Sequence, residues 1–266
     1  MEFGLVVHLA SGNAFNRYAI YMFEGRQMAQ NEEMKPSEET EENEETEDVY
    51  EELDPSEVAG ILMDKLIHKC EDDPECTPLP DDEDALYIAL DYCLGSTVCD
   101  IDPEVEEAIK KSKTFRDELE KEFREMLNDY WAGLISIGLE NVLDEAYNKI
   151  ANNKNLIDFR KARLLAKYQK VLEDFVDATD RALKEKKPLS KKDLYNWFMD
   201  IGDTVLGTEA YDWFDLQVDN WLSFYDSLKD NYKLVMLWSL KYSITEGLLP
   251  KIKQKISELE GLTNSQ

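Results

Sequence analysis

Residues 126–150, MLNDYWAGLISIGLENVLDEAYNKI, decide the fold class of this 266-residue chain. The stretch lacks proline, and its apolar side chains fall on nearly every side of a helix with 3.6 residues per turn. A helix that is apolar all round must be enclosed by other elements, so we predict that it lies in the middle of a helical bundle. Gly133 and Gly138 within it predict either a close crossing with another helix or a kink.

This central helix is predicted to begin near Thr114, where Thr-x-x-Asp resembles a capping box, and to end near Ile150. A second long helix is predicted over 155–187, because apolar residues recur there at helical spacing. Its predicted core positions are Ile157, Leu164, Tyr168, Val171, Phe175 and Ala182.

Capping and breaking residues place the remaining helices. Ser190 with Asp193 three residues later predicts a helix N-terminus. Further helices are predicted to about Leu206, across 209–228, across 230–247 and from Pro250 to Glu260. Residues 103–266 are therefore predicted to form a mainly α-helical, irregular multi-helix bundle.

Three segments are predicted ahead of the bundle. Residues 1–30 contain a Ser-Gly-Asn turn flanked by β-branched and aromatic residues, which favours a small β-hairpin. Residues 31–54 are acidic and poor in apolar side chains, which predicts a disordered linker. Residues 55–102 are predicted to form an acidic, cysteine-containing helical module. Its first helix has a predicted core face of Val58, Ile61, Leu62 and Leu66. Translation could begin at Met1 or at Met28, which lies just before the acidic run, and the sequence does not distinguish the two.

The negative charge is concentrated in two segments. The chain has 30 Lys and Arg against 58 Asp and Glu, a formal net charge of −28. Residues 31–54 hold 13 acids and one base, and residues 71–107 hold 14 acids and no base. These segments carry −12 and −14, so the rest of the chain nets only −2. Acidity is therefore a property of two segments and not of the fold.

Concentrated negative charge creates a local potential that speeds association with a cationic surface. We therefore predict a non-enzymatic interaction or regulatory protein that binds a basic protein partner and competes with polyphosphate as a nucleic-acid mimic. The alternative is that 31–54 is only a solubilising spacer. The predicted partner-binding acids are Glu41, Glu42, Glu44, Glu45, Asp81, Asp82, Glu83 and Asp84. An aromatic interface rim is predicted at Tyr211, Trp213, Phe214 and Trp221.

Four cysteines lie close together, as Cys70-x5-Cys76-x16-Cys93-x5-Cys99. Structural zinc sites usually use pairs two to four residues apart, so this spacing fits a zinc site poorly. Two disulfides, with three alternative pairings, are one prediction. Four reduced, half-buried thiols are the other.

A catalytic role is the least favoured function. The chain has only two histidines, which excludes a multi-histidine metal centre, and it lacks a glycine-rich phosphate-binding loop. Glu122 and Glu125 are similar to the Glu-x-x-Glu pair with which all-α nucleotide pyrophosphohydrolases hold Mg²⁺. The second pair, Glu140 and Asp144, is mis-spaced and falls on the same predicted helix. A solvated helix face explains these acids better, so we predict no enzyme and no cofactor.

The body of the chain also carries a basic stripe. Arg160, Arg163, Lys167 and Lys170 recur at helical spacing along the second long helix. Such a stripe binds phosphates in some proteins. The interpretation that we favour is that it pairs with the acidic stretch 193–228 across a helical hairpin.

Composition excludes several further classes. The acidic balance argues against a protein that coats nucleic acid or anionic lipid, because both need positive potential. The sequence has no run of ~20 apolar residues and no basic region typical of a secretory signal. We therefore predict a cytoplasmic protein without a membrane span or direct nucleic-acid contact. A structural assembly or virion protein, acting as a homo-oligomer, is the second functional alternative.

Overall fold

The computed structural model describes residues 53–72, 78–82, 84–94, 99, 101–206 and 208–263. These residues form helices joined by turns, and none of them belongs to a β-strand, so the predicted mainly α-helical fold is confirmed. No helix within these ranges has both the length and the apolar composition to cross a bilayer. The hairpin predicted over 1–30 lies outside the described residues, as does the acidic linker except for its last two positions. The chain divides into two compact units, with the boundary between Tyr130 and Trp131.

The first unit contains three helices and the beginning of a fourth within its described part. They are α1 (Pro55–Asp72), α2 (Ala85–Cys93), α3 (Pro103–Lys111) and α4 (Lys113–Ala151). Aspartates cap α1 and α3: Asp54 Oδ1 accepts a hydrogen bond from the N–H of Ser56, and Asp102 Oδ1 accepts one from Glu104, both at 2.9 Å. A proline follows each cap, where its missing N–H would have had no helical partner.

The apolar face of α1 packs against α2. The buried residues of α1 are Val58, Ala59, Leu62, Met63 and Leu66. Ile61 was predicted on this face but is 37% exposed, so that prediction is wrong. It lies on the far side because each residue turns the helix by about 100°, and Ala59 and Met63 complete the buried face instead.

The long helix α4 begins one residue after Ser112, which is its cap. Ser112 Oγ accepts a hydrogen bond from the N–H of Phe115 at 3.1 Å, so the cap predicted at Thr114 is wrong by two residues. From there α4 runs for 39 residues, about 58 Å of continuous helix. Its buried residues within the central stretch include Leu127, Trp131, Ala132, Ile135, Leu139, Val142, Leu143 and Ile150.

The second unit contains the rest of α4 and the helices that follow it. They are α5 (Asp158–Glu185), α6 (Lys191–Ile201), α7 (Thr208–Leu222), α8 (Asp230–Ser243) and α9 (Leu249–Thr263), with π-helical segments π1 (Gly202–Leu206) and π2 (Ile244–Leu248). The helix α5 packs against α8 and α9. As predicted, Ser190 caps α6, because its Oγ accepts a hydrogen bond from the N–H of Asp193 at 3.1 Å.

Helices α4 and α7 cross at Gly138. A Cβ placed on Gly138 would lie 2.0 Å from Cε2 and 2.2 Å from Cδ2 of Trp221, so the indole rests directly on the α4 backbone. The close crossing predicted at this glycine is confirmed. Two turns earlier on α4, Trp131 stacks on Phe224 with ring centroids 4.6 Å apart.

A buried tyrosine joins α5 to α4. The hydroxyl of Tyr168 donates a hydrogen bond to the carbonyl of Leu143 at 2.9 Å, and burial raises the pKa of Tyr168 well above its usual value. Ile157 was predicted on the same core face but is 71% exposed, so that prediction is wrong. Ile157 precedes α5 in extended backbone, with φ −69° and ψ 154°, and does not follow the helical periodicity.

The chain passes from α8 through π2 to α9 without interruption, whereas separate helices were predicted over 230–247 and from Pro250 to Glu260. Buried residues step by four through this rod: Met236, Leu240, Ile244, Leu248 and Ile252. An α-helix would rotate such a series by about 40° at each step. In π2 the N–H of Leu249 bonds to the carbonyl of Ile244, five residues back. The wider turn takes up the drift and leaves room for the proline ring.

Gly138→Ala is expected to destabilise the protein by about 1–3 kcal/mol, because the indole of Trp221 must move to admit a methyl group. The better helix propensity of alanine, about 1 kcal/mol, offsets only part of this cost. Gly60→Ala in α1 is the matched control, since a Cβ there meets nothing within 4 Å, and it should raise stability. Urea unfolding measures both, and a Gly138→Ala protein as stable as the wild type would contradict the crossing.

Candidate interaction surface

The helix α2 presents an exposed tyrosine between two aspartates. Asp84, Tyr87 and Asp91 follow one another at spacings of three and four, which places them on one face. The other face is buried and consists of Ala85, Leu86, Ala89, Leu90 and Cys93. Tyr87 is 61% exposed, which is unusual for so large an apolar ring. We call Asp84, Tyr87 and Asp91 the acidic face.

Among the described residues, no base forms an ion pair with the two carboxylates of the acidic face. Asp84 and Asp91 are both exposed. One base, Lys69 of α1, approaches α2, but it lies over the ring of Tyr92 with Nζ 5.0 Å from the centroid. The acidic face therefore combines exposed negative charge with an exposed aromatic ring, and both attract cations.

The remaining acids predicted to bind a partner divide into several groups. Glu41, Glu42, Glu44, Glu45 and Glu83 lie outside the described residues. Asp81 is exposed in the turn before α2, whereas Asp82 Oδ1 accepts a hydrogen bond from the N–H of Asp84 at 3.0 Å. Further along the second acidic segment, Glu107 pairs with Lys111 within α3, and this hydrogen bond lowers the pKa of Glu107. Glu107 thus supports its own helix, whereas Asp84 and Asp91 form no ion pair with a described residue.

The four aromatic residues predicted as an interface rim are divided between core and surface. Phe214 has no exposed surface, and Trp221 packs on the α4 glycine, so both rings belong to the packing of the second unit. Trp213 is half-buried, with the ammonium of Lys149 4.4 Å from its ring centroid. Tyr211 is half-buried and donates a hydrogen bond to a methionine sulfur of α6 at 3.4 Å. Surface for a partner is therefore limited to the edges of Tyr211, Trp213 and Trp221.

A tyrosine–aspartate hydrogen bond joins α6 to α7, and its aspartate follows Phe214 directly in the sequence. The hydroxyl of Tyr195 donates to Oδ1 of Asp215 at 2.6 Å. This hydrogen bond raises the pKa of Tyr195 to about 12, because the carboxylate stabilises the neutral phenol and repels the phenolate.

One pair of cysteines forms a disulfide. The Sγ atoms of Cys93 and Cys99 are 2.05 Å apart, and both side chains are buried. Of the alternatives predicted from the sequence, the disulfide holds for this pair. The side chain of Cys70 and the whole of Cys76 lie outside the described residues.

Glu122, from the first half of the predicted magnesium motif, borders a cavity in the first unit. This cavity of about 270 Å³ is lined by Asp54, Pro55, Ser56, Glu118, Lys121 and Glu122. The ammonium of Lys121 supplies a positive charge among the carboxylates. Within the described residues, no group of three or more His, Cys, Asp or Glu side chains is placed to hold a metal ion.

The second half of that motif has protein partners in the second unit. Glu140 Oε2 accepts a hydrogen bond from Oγ of Ser243 at 2.8 Å. Both carboxylate oxygens of Asp144 lie 3.2 Å from Nζ of Lys251, which also lies over the ring of Tyr147. These acids join α4 to α8 and α9, which is a structural role.

The basic stripe of α5 does not pair as the sequence suggested. Arg160, Arg163, Lys167 and Lys170 are all exposed, and none forms an ion pair with a described residue. The interpretation that they meet the acidic stretch 193–228 is therefore wrong for the part of the chain that is described.

Tyr87 is the surface residue that the sequence analysis missed. Its signal was present: Asp84, Tyr87 and Asp91 share one helical face while alanines and leucines fill the other.

No protein family, curated protein or solved structure matches this chain. Function is therefore inferred from the residues and their geometry.

We expect no Mg²⁺-dependent hydrolysis of deoxynucleoside triphosphates above the uncatalysed rate. The reason is that Glu140 and Asp144 already have protein partners and that Lys121 competes for the carboxylates beside Glu122. Phosphate release from the wild type and from Glu122→Gln measures this. Activity in the wild type that disappears in Glu122→Gln would establish the enzymatic alternative.

The hydrogen bond of Tyr195 should make stability depend on pH in the alkaline range. Since the folded pKa lies above the unfolded value of about 10, the stabilisation is present below pH 10 and is lost as pH rises to about 12. Below pH 10, Tyr195→Phe should lower the free energy of unfolding by about 0.5–1 kcal/mol. This difference from the wild type should shrink toward pH 12 in urea unfolding. Tyr87→Phe, whose hydroxyl has no described partner, is the control and should show no such difference.

Proposed function

We propose that this chain is a non-enzymatic interaction protein whose acidic segments bind a basic protein partner. The observation that carries the proposal is the acidic face of α2, where an exposed Tyr87 stands between two exposed aspartates that form no ion pair with a described residue. An arginine or lysine of a partner would gain a carboxylate and the face of an aromatic ring together. Arginine suits both contacts, because its planar guanidinium stacks on rings and donates to carboxylates.

The charge distribution supports the same function. Residues 71–107 carry −14 and residues 31–54 carry −12, so a basic surface would be attracted over a wider area than α2 alone. Attraction of this kind raises the association rate and weakens as salt screens it. A partner that normally binds phosphates would meet a similar density of negative charge, which is the basis for action as a nucleic-acid mimic.

The test measures where on the surface a cationic peptide binds. A fluorescent polylysine peptide of about 20 residues is titrated with the full chain at about 20 mM and about 150 mM NaCl, where screening differs strongly. Asp84→Asn/Asp91→Asn should weaken binding about two- to tenfold, as expected for two exposed ion pairs. Tyr87→Ala should weaken it further, and deletion of 31–54 should reduce the salt dependence.

Asp174→Asn/Asp177→Asn is the matched control, because it removes two exposed carboxylates from α5 and leaves the same net charge. Equal losses from both double variants would mean that the peptide responds only to total charge, and the acidic face would then have no special role.

A further inference from the structure

The end of the α4–α5 connection and the first turn of α5 carry the two most exposed large apolar side chains of the described residues. Ile157 is 71% exposed and Phe159 is 65% exposed. The connection contains a side-chain hydrogen bond, from the N–H of Asn155 to Oδ1 of Asn153 at 2.9 Å. Two such residues within one turn form an apolar tip that the second unit leaves in water.

The surroundings of this apolar tip are strongly basic. Residues 149–170 contain seven Lys and Arg and one acid, Asp158, so their net charge is +6 in a chain of −28. Two of the bases have acidic partners, because Lys149 pairs with Glu145 at 3.2 Å and Lys161 lies 3.8 Å from Asp158. The other five are exposed and form no ion pair with a described residue: Lys154, Arg160, Arg163, Lys167 and Lys170.

Phe159 of the apolar tip shares one face of α5 with the basic stripe. Phe159 and Arg163 are four residues apart on α5 and are therefore neighbours on its surface. From Arg160 to Lys170 the stripe extends about 15 Å along the helix. This face lies opposite the buried one, which contains Leu165 and Leu172.

We propose that the apolar tip and the basic stripe bind the surface of an anionic phospholipid bilayer. Ile157 and Phe159 would enter the boundary between headgroups and acyl chains, and the stripe would lie against the lipid phosphates and carboxylates. The protein lies on the membrane in this arrangement and does not span it. The presence of aliphatic Ile157 favours lipid over nucleic acid, since an aliphatic side chain has no ring on which a base can stack.

The acidic character of the whole chain does not prevent this binding. At physiological ionic strength the Debye length is about 8 Å, so charges farther than this from the bilayer are largely screened. The net charge of +6 over residues 149–170 acts at contact, where each base near an anionic surface contributes to binding. This surface is separate from the acidic face and does not rest on the function proposed above.

The experiment is co-sedimentation of the full chain with vesicles at physiological salt. Vesicles of phosphatidylcholine with about 30% phosphatidylserine should bind the protein, and vesicles of phosphatidylcholine alone should bind it at least tenfold more weakly. Ile157→Ser/Phe159→Ser should reduce binding at least tenfold, and so should Arg163→Glu/Lys167→Glu. All four positions are exposed, and circular dichroism confirms that the variants remain helical.

Matched controls place the same changes elsewhere on the second unit. Leu216→Ser removes another exposed apolar side chain, and Lys184→Glu/Lys187→Glu reverses two charges at the far end of α5 and beyond it. Both controls should bind like the wild type. Equal binding to the two kinds of vesicle, or equal losses in variants and controls, would overturn the proposal. Failure to bind vesicles together with tight binding of a single-stranded oligonucleotide would assign the stripe to nucleic acid instead.

Discussion

The second unit depends on the contact between the indole of Trp221 and the bare backbone at Gly138. Without a Cβ at that position, α7 can approach α4 closely enough for a tryptophan ring to cover the helix itself. The same helix α4 is hydrogen-bonded to α5 through Tyr168, to α8 through Ser243 and to α9 through Lys251. One helix therefore provides the packing surface for the others, and this explains why its sequence is apolar on nearly all sides.

The charged side chains of this protein have two physical roles, which depend on whether a side chain forms an ion pair. Glu107 and Lys111 neutralise each other within α3, and Asp144 and Lys251 do so between α4 and α9. Such pairs contribute to folding and leave little field outside the protein. The carboxylates of α2 and the bases of α5 remain hydrated and contribute their potential to the solvent. The chain therefore has one negatively charged and one positively charged surface, each next to an exposed large side chain. Its net charge alone indicates neither surface.

Local rules predicted much of the fold and little of the surface. Caps such as Ser190, the central helix and its glycine crossing follow from short-range stereochemistry, which one sequence displays fully. Ile157 was assigned to the core because periodicity was extended one residue beyond the helix that produces it. Two separate helices were predicted on either side of residues 248–249, because a π-turn that keeps the helix continuous depends on packing partners that are distant in sequence. The exposure of Tyr87 likewise depends on what α1 covers, and no spacing within α2 gives that information.

The π-helical segment π2 accommodates one residue more than an α-helical turn would, within a continuous helix from α8 to α9. The number of residues in this helix therefore affects the structure. In a loop, the loss of one residue is absorbed by slack. In π2 the loss of one residue would convert the wide turn into an ordinary one and leave the downstream helix in nearly the same orientation, whereas the same loss within regular α-helix, such as α8, would rotate everything downstream by about 100°. In the second case Ile252 and Leu259, both buried, would turn away from the core. The register of the C-terminal helix is thus encoded by a count of residues as well as by their chemistry.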